Sequence, residues 1–516
     1  MNRLLMCWII AGSLASNLPA LTPDRMFGDN MVIQREMPVP VWGKAKPDST
    51  VTVTFAGKTV EGKTNEDGAW KVSLPELPAS SEGRDLVIKS GEHSVTLSNV
   101  LVGEVWLGSG QSNMAGKVSS YSRNDPTLAK LVDQAPYPNL RIKLKDWHEA
   151  DADTANQCSA LLFAFGERLQ RELGVPVGLF FGAVGGTPSG SWIPLETYET
   201  SDKCKADIAS FAKTWDPAKA QKNYETQLTK WEQEIEAATA AGRKPRGRRP
   251  RAPVNPGEMT RDGKIGGLFA RYIKPAKGFA IRGVLWDQGE SGTGILGLNQ
   301  HTAMSELFRG WRELWGQGDF PFIFVQKPSG ESCAFSKDNP MNREAGEFSD
   351  LPKTIVQNGS TRFLYTRLMK DNKNAWMVPS SDLGGKIHPV NKWAYGNRAG
   401  EVALQKIYQI KGVQAYGPIY QSHKVDGSTV TVTFSETGSG LTLAHSDNLQ
   451  GFSLAGEGGQ WFWAEAKITG ENTVTVTCPS VPSPKHVRFA YAVNRHWANL
   501  FNKEGLPALA FTSESL

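Results

Sequence analysis

Two stretches of strict polar–apolar alternation, Val51-Thr-Val-Thr-Phe55 and Thr429-Val-Thr-Val-Thr-Phe434, bracket a middle with a different periodicity. A period of two with β-branched residues suits a strand with one buried face. Near the first stretch, Ala56-Gly57-Lys58 makes a turn before Thr59-Val60, and Asn65-Glu-Asp-Gly68 makes another before Trp70, Val72 and Leu74. Residues 21–100 are therefore expected to form a small antiparallel sandwich. Thr473-Val-Thr-Val-Thr477, Trp461-Phe-Trp463 and Arg488-Phe-Ala-Tyr491 predict a second β-module over 411–516. Between them, strand-like runs alternate with helical faces. Glu104 to Leu107 reads as a strand, and Leu161, Leu162, Phe165, Leu169 and Leu173 as one helix face ending at Gly174. Val177 to Phe181, Ile281 to Trp286 and Phe322 to Val325 read as strands, and Leu307, Phe308, Trp311, Leu314 and Trp315 line a further helix. Such alternation predicts a parallel sheet with helices on both faces, an α/β fold of three layers flanked by two β-modules.

The 516 residues exceed one ordinary core, so several domains are expected. The α/β part divides into 101–200 and 263–410, separated by a helical insertion over 201–262. The insertion ends in Arg243-Lys-Pro-Arg-Gly-Arg-Arg-Pro-Arg251, whose six positive charges exceed the whole chain's formal surplus of +5. The protein is thus not basic throughout; it carries one basic loop. Like charges among Pro and Gly favour a solvated loop over an anion or nucleic-acid site, and no nucleic-acid partner is expected. Arg3, the apolar run Leu4 to Leu14 and small residues at Ser13, Ala15 and Ala20 read as a signal peptide over 1–20, implying a secreted or periplasmic protein. No later segment is long and apolar enough to insert in a membrane. Cys158, Cys204, Cys333 and Cys478 lie far apart with no CxxC pair; their pairing is open, with a free buried thiol favoured for Cys158.

Four short blocks carry chemistry. Gly108-Ser-Gly-Gln-Ser-Asn-Met114 ends a strand in a Gly-containing turn that presents Ser112. A nucleophilic serine needs an exposed hydroxyl beside backbone N–H groups that stabilise an oxyanion. Gly185-Gly-Thr-Pro188 follows the next strand, where glycines let the backbone approach a substrate closely. In Trp286-Asp-Gln-Gly-Glu-Ser291, Gln288 offers an amide donor and Glu290 a carboxylate. Ile387-His-Pro-Val-Asn-Lys392 places His388 beside a proline ahead of a helix expected from Trp393 to Tyr408, where it can take and return the serine proton. Each block alone reads equally as a turn or a cap. Their order, each beside a strand end or a helix start, is what points to acyl transfer. No HExxH or similar zinc spacing appears, and no metal is expected.

At these residues the chain resembles the sialate O-acetylesterases of the SGNH (GDSL-type) hydrolase superfamily. Gly110-Gln-Ser-Asn-Met114 looks like the nucleophile block, Gly185-Gly-Thr-Pro188 through Trp192-Ile-Pro194 like the second, Gln288-Gly-Glu-Ser291 like the third, and Ile387 to Lys392 like the last. Met31-Val-Ile-Gln34 with Pro38-Val-Pro-Val-Trp42 looks like the family's N-terminal β-domain, and Asn499-Leu-Phe-Asn502 with Gly505-Leu-Pro507 like its C-terminal module. The resemblance implies an SGNH-hydrolase-like fold and a serine esterase acting on an acetylated carbohydrate without a cofactor. It makes Ser112 the nucleophile, His388 the base, and Ser112 N–H, Gly186 N–H and Gln288 the oxyanion donors. The sequence departs from the pattern before the histidine. The position three before it, where the superfamily often has Asp, is Gly385, and the position two before is Lys386. Asp382 is the nearest acid able to orient His388, with Glu290 or a backbone carbonyl as alternatives. The match is poor over 329–375, which is expected to shape the substrate pocket. The rival from another class is a non-catalytic glycan-binding protein.

Overall fold

The computed structural model describes residues 21–288, 290–327 and 329–514; the leader read over 1–20, with Cys7, lies outside them. In the N-terminal module, Val39–Ala45 pairs antiparallel with Leu21–Pro23 and Ala69–Leu74, and Thr50–Phe55 pairs with Lys58–Lys63 and Ser80–Ser90. The alternation works as read: Val51, Val53 and Phe55 are buried while the intervening threonines face outward.

The boundary expected at residue 100 falls inside one strand, His93–Gly110. Its first part pairs with Ser80–Ser90 and Val32–Gln34. From Glu104 onward it lies between Val177–Ala183 and Gly283–Asp287 in the central sheet. Val100 through Gln111 are all buried, so no solvated turn separates the two modules. The short strand expected at Glu104–Leu107 is the middle of this element.

The central sheet runs in the order Trp147–Ala150, Tyr137–Lys143, Val177–Ala183, His93–Gly110, Gly283–Asp287, Phe322–Val325, Ala375–Val378. Its pairings are parallel except at the Trp147–Ala150 edge. Period two sorts its side chains between two layers. Val105, Leu107, Val284, Trp286 and Phe322 join one core with helix Gln300–Trp315. Trp106, Leu285, Ile323 and Val325 join another with helices Ala160–Leu173 and Lys392–Lys406. The first of these helices is capped by the Ser159 hydroxyl and stopped by Gly174 at φ 64°, a left-handed turn that suits glycine. The chain visits one side of His93–Gly110 first and the other side later, so a crevice opens at its C-terminal end.

The insertion consists of helices Asp202–Ala212 and Pro217–Ala240, followed by residues 241–258 without helix or strand. In the C-terminal module, a sheet containing Thr429–Ser435 and Thr473–Thr477 faces one containing Phe452–Ala455 and His486–Phe489. Val430, Val432, Val474, Leu454 and Phe489 share its core. The poorly matching segment 329–375 fastens this module to the α/β domain: Arg495 N–H donates to the Glu331 carbonyl at 2.8 Å, and Trp463 Nε1 to the Pro352 carbonyl at 2.8 Å. Among the described residues no helix is long and apolar enough to cross a membrane. Cys158, Cys204, Cys333 and Cys478 are all free and buried.

Candidate active site

Strand His93–Gly110 delivers the chain to the sheet's C-terminal rim, where Gly110 at φ 129° turns it sharply. A Cβ there would overlap the Asp287 carbonyl, so only glycine fits. Gln111 N–H bonds that carbonyl at 2.9 Å, and Ser112 opens the short helix Ser112–Ala115. The nucleophile candidate is therefore held half-buried on a turn tied to the neighbouring strand.

Two further blocks converge on it. The backbone after Val177–Ala183 passes so close that a Cβ on Gly185 would sit 3.6 Å from the Ser112 Cβ. Gly186 follows at φ 72°, and Arg261 Nη1 donates to its carbonyl at 3.2 Å. Gln288 is buried at the end of Gly283–Asp287; its Nε2 donates to the Thr187 carbonyl at 3.1 Å, and its own carbonyl accepts from Tyr365 at 3.0 Å. The Gln288 side chain is thus fixed against the Gly185–Thr187 turn.

The fourth block closes the site. His388 Nε2 lies 2.9 Å from Ser112 Oγ, across 276 residues of chain. The imidazole is exposed, on a loop whose Pro389 is buried and whose end is capped by Asn391 onto helix Lys392–Lys406. The helix begins one residue earlier and ends two earlier than expected.

Asp382 has a different occupation from the one expected. Its carboxylate is buried and bonded to Arg398 Nη2 at 2.9 Å, Arg398 Nη1 at 3.3 Å and Asn342 Nδ2 at 2.8 Å. Arg398, on helix Lys392–Lys406, is buried against Asp382 and needs a countercharge there, which engages the acid. Glu290 meets Lys327 Nζ at 2.6 Å and accepts from Ser329 N–H at 3.2 Å. The carboxylates weighed as orienting groups are therefore engaged with cations.

A buried polar cluster that the sequence reading did not single out underlies the pair. Lys392 Nζ, almost wholly buried, donates to Asn113 Oδ1 at 2.6 Å and lies 4.6 Å from the Tyr121 ring centre. Asn113 Nδ2 in turn donates to the Ile387 carbonyl at 3.2 Å. One amide thus clips the serine turn to the histidine loop. Asp287 is buried beneath them. Its oxygens find no hydrogen-bond partner of good geometry among the described residues, although Lys392 and Asn113 are near enough to favour its charge. Burial is the larger effect and raises the Asp287 carboxyl to about 6, while burial lowers the Lys392 ammonium to about 7 against the pull of Asp287 and Asp125. Two sequence signals mark this cluster: an acid ending an apolar strand, and a lysine at the first position of a helix, where the dipole disfavours a cation.

Among the described residues no group of three His, Cys, Asp or Glu side chains is placed to hold a metal ion. A cavity of about 850 Å³ lies between the α/β domain and the C-terminal module, but neither Ser112 nor His388 lines it. Geometry therefore singles out the rim at Ser112.

No protein-family model matches the chain. It is similar to the sialate O-acetylesterase of Mus musculus, 27% identical over 432 residues, which cover 75% of this chain and 74% of the relative. It is similar to the sialate O-acetylesterase of Homo sapiens at 24% identity, over 76% of this chain and 72% of that one. In fold it matches a carbohydrate acetylesterase from Xanthomonas citri with a TM-score of 0.71 and 23% identity, over 96% of this chain and 100% of the other. The likeness in fold thus extends over both β-modules.

Proposed function

We propose that the chain is a serine esterase that removes O-acetyl groups from carbohydrates, sialic acids among them, through an acetyl-serine intermediate. The observation that carries this reading is the 2.9 Å contact between His388 Nε2 and Ser112 Oγ at the crevice of a parallel sheet. The likeness to sialate O-acetylesterases along three quarters of the chain supports the acetyl group and the sugar.

In this reading His388 Nε2 takes the Ser112 proton as Oγ attacks the acetyl carbonyl carbon. Ser112 N–H, Gly186 N–H and the Gln288 amide receive the oxyanion. Gln288 Nε2 spends one hydrogen on the Thr187 carbonyl and keeps the other for this role. The C–O bond to the sugar breaks, the sugar oxygen takes the proton from His388, and water then releases acetate by the reverse roles. With Asp382 committed to Arg398, His388 works in a Ser–His dyad, in the tautomer that leaves Nε2 unprotonated to accept from Ser112. Export through residues 1–20 belongs to the same proposal; N-terminal sequencing of protein recovered outside the cytoplasm tests it.

The test is acetate release from O-acetylated sialic acid, acetylated xylan and p-nitrophenyl acetate by wild type, Ser112→Ala and His388→Ala. Each substitution is expected to lower kcat at least about a thousandfold. A Ser112→Ala protein hydrolysing at the native rate would refute the assignment of the nucleophile, and a wild type that releases no acetate from any of these substrates would leave the glycan-binding role.

A further inference from the structure

The basic loop singled out in the sequence does not project freely into solvent along its whole length. Arg248 and Arg251 turn back to line a cavity of about 400 Å³ whose opposite wall is Gly186, Thr187 and Pro188, the turn that faces Ser112. Arg261, Lys264 and Arg271 complete its rim, and Asp262 is its one carboxylate. Arg251 is paired with Asp262. Among the described residues none of Arg248, Arg261, Lys264 and Arg271 has an ion-pair partner: Arg261 donates to the Gly186 carbonyl at 3.2 Å, and Arg271 lies over the Tyr272 ring at 5.2 Å. Unpaired like charges gathered around one concavity repel each other, and an anion seated there relieves that repulsion.

We infer that this cavity is a subsite for an anionic group, carboxylate or sulfate, carried by the acetylated sugar or by its neighbour in the glycan. The inference rests on the esterase reading above and narrows its substrate to acidic sugars. The geometry favours a small oxyanion over a polymer backbone. The cations ring a pocket rather than a stripe, and its wall is shared with the turn proposed to hold the acetyl oxyanion. Arginine forks match carboxylate and sulfate oxygens two at a time, so several arginines at one rim select such groups over neutral hydroxyls. The insertion that breaks the α/β pattern thereby gains a role: it carries three of the cations, Arg248, Arg251 and Arg261, to a site whose other wall belongs to the α/β domain.

The experiment compares wild type with Arg248→Glu/Arg251→Glu, whose changes lie on an exposed loop, after melting curves show equal folding. The substrates are an O-acetylated sialic acid, its neutral methyl ester, an acetylated hexose sulfate and an acetylated neutral xylo-oligosaccharide. The ratio of kcat/KM for acidic over neutral esters is expected to fall about tenfold in the variant, chiefly through KM. In wild type that ratio should drop as salt is raised. Whichever acidic substrate loses its advantage identifies carboxylate or sulfate as the native group. An unchanged ratio for both would overturn the inference while leaving the esterase reading intact. Independently of turnover, free N-acetylneuraminic acid and glucose 6-sulfate are titrated into Ser112→Ala protein with and without the two arginine changes. Binding lost with the arginines, together with a wild type that releases no acetate from any of the four substrates, would retain the anion site and discard the esterase. Salt-sensitive binding of a short single-stranded DNA, lost in the variant with no effect on either acid, would replace the inference by a nucleic-acid site.

Discussion

Replacing Lys392 by Met tests whether the charge beneath Ser112 is as confined as its burial implies. Met keeps the length of the side chain and removes the ammonium, so Asp287 loses its countercharge and Asn113 its donor. The folded Asp287 already holds its proton to about 6 because burial raises it, against an ordinary carboxylate value of about 3.9. A carboxyl raised on folding contributes stability that is present below the unfolded value and is lost as pH rises through the folded one. Without Lys392 that folded value climbs further. Between pH 6 and pH 8 the variant then has to keep a proton that wild type has released. The ceiling is about 1.4 kcal/mol per pH unit for one proton, so the Asp287 part of the Lys392→Met penalty should grow over that interval by no more than about 3 kcal/mol. Lys392 acts in the same direction. Its lowered value means that wild type regains stability as pH rises beyond about 7, and the variant has no such gain. Urea denaturation followed by tryptophan fluorescence at pH 5, 6.5 and 8 measures the difference. Asp287→Asn/Lys392→Met should recover the pH-dependent part at pH 8. A penalty equal at pH 5 and pH 8, or a double variant no better than the single, would refute the argument that these two groups share one dry site.

Three further outcomes follow from the same geometry. Asn113→Ala unclips the serine turn from the Ile387 carbonyl; kcat should fall roughly 10- to 100-fold with KM nearly constant, since displacements of about 1 Å at a reacting pair cost on that order. Asp382→Asn should destabilise by about 3 kcal/mol by leaving Arg398 with Glu401 as its remaining carboxylate, while kcat of the folded protein stays within a few-fold; a loss of about 10⁴, as for a triad acid, would restore Asp382 to the site. A thiol reagent should label Cys158, Cys204, Cys333 and Cys478 only after denaturation, because all four are buried and burial pushes the Cys158 and Cys333 thiols up to about 12; labelling of fewer than four in denaturant without reductant would reveal a disulfide.

Ser112, Gly186, Gln288 and His388 were legible in the sequence because each follows a strand end or precedes a helix start, and such positions are marked by local pattern. The three layers were legible for the same reason: apolar runs of four to six residues between helical faces leave few arrangements other than a parallel sheet. The partner of Asp382 was not legible. An acid six residues before a histidine looks like its orienting group until the helix beyond the loop brings Arg398 into the same dry space. The fate of the basic loop was hidden as well. Composition showed that it repels itself, but only the turn at Arg248 and Arg251 shows which surface it faces.

The expected cut at residue 100 failed for a reason that bears on catalysis. Ser112 follows a strand whose upstream half is paired within the N-terminal module. A slip of one residue in that pairing would exchange the two faces of every residue up to Gly110, and with them the direction in which Ser112 emerges. Glu104 sits where the two halves meet. It is fully buried, and burial works against its charge. Arg282 at 2.7 Å and Arg35 at 2.5 Å outweigh that effect and hold the carboxyl below its ordinary value. One arginine belongs to the N-terminal module and the other directly precedes strand Gly283–Asp287, so the carboxylate fixes the register of three segments at once. A hydrolase domain cut at residue 101 would lose Arg35 and the pairing of Val32–Gln34, leaving Glu104 against Arg282 alone. The N-terminal module is therefore part of the scaffold that aims Ser112.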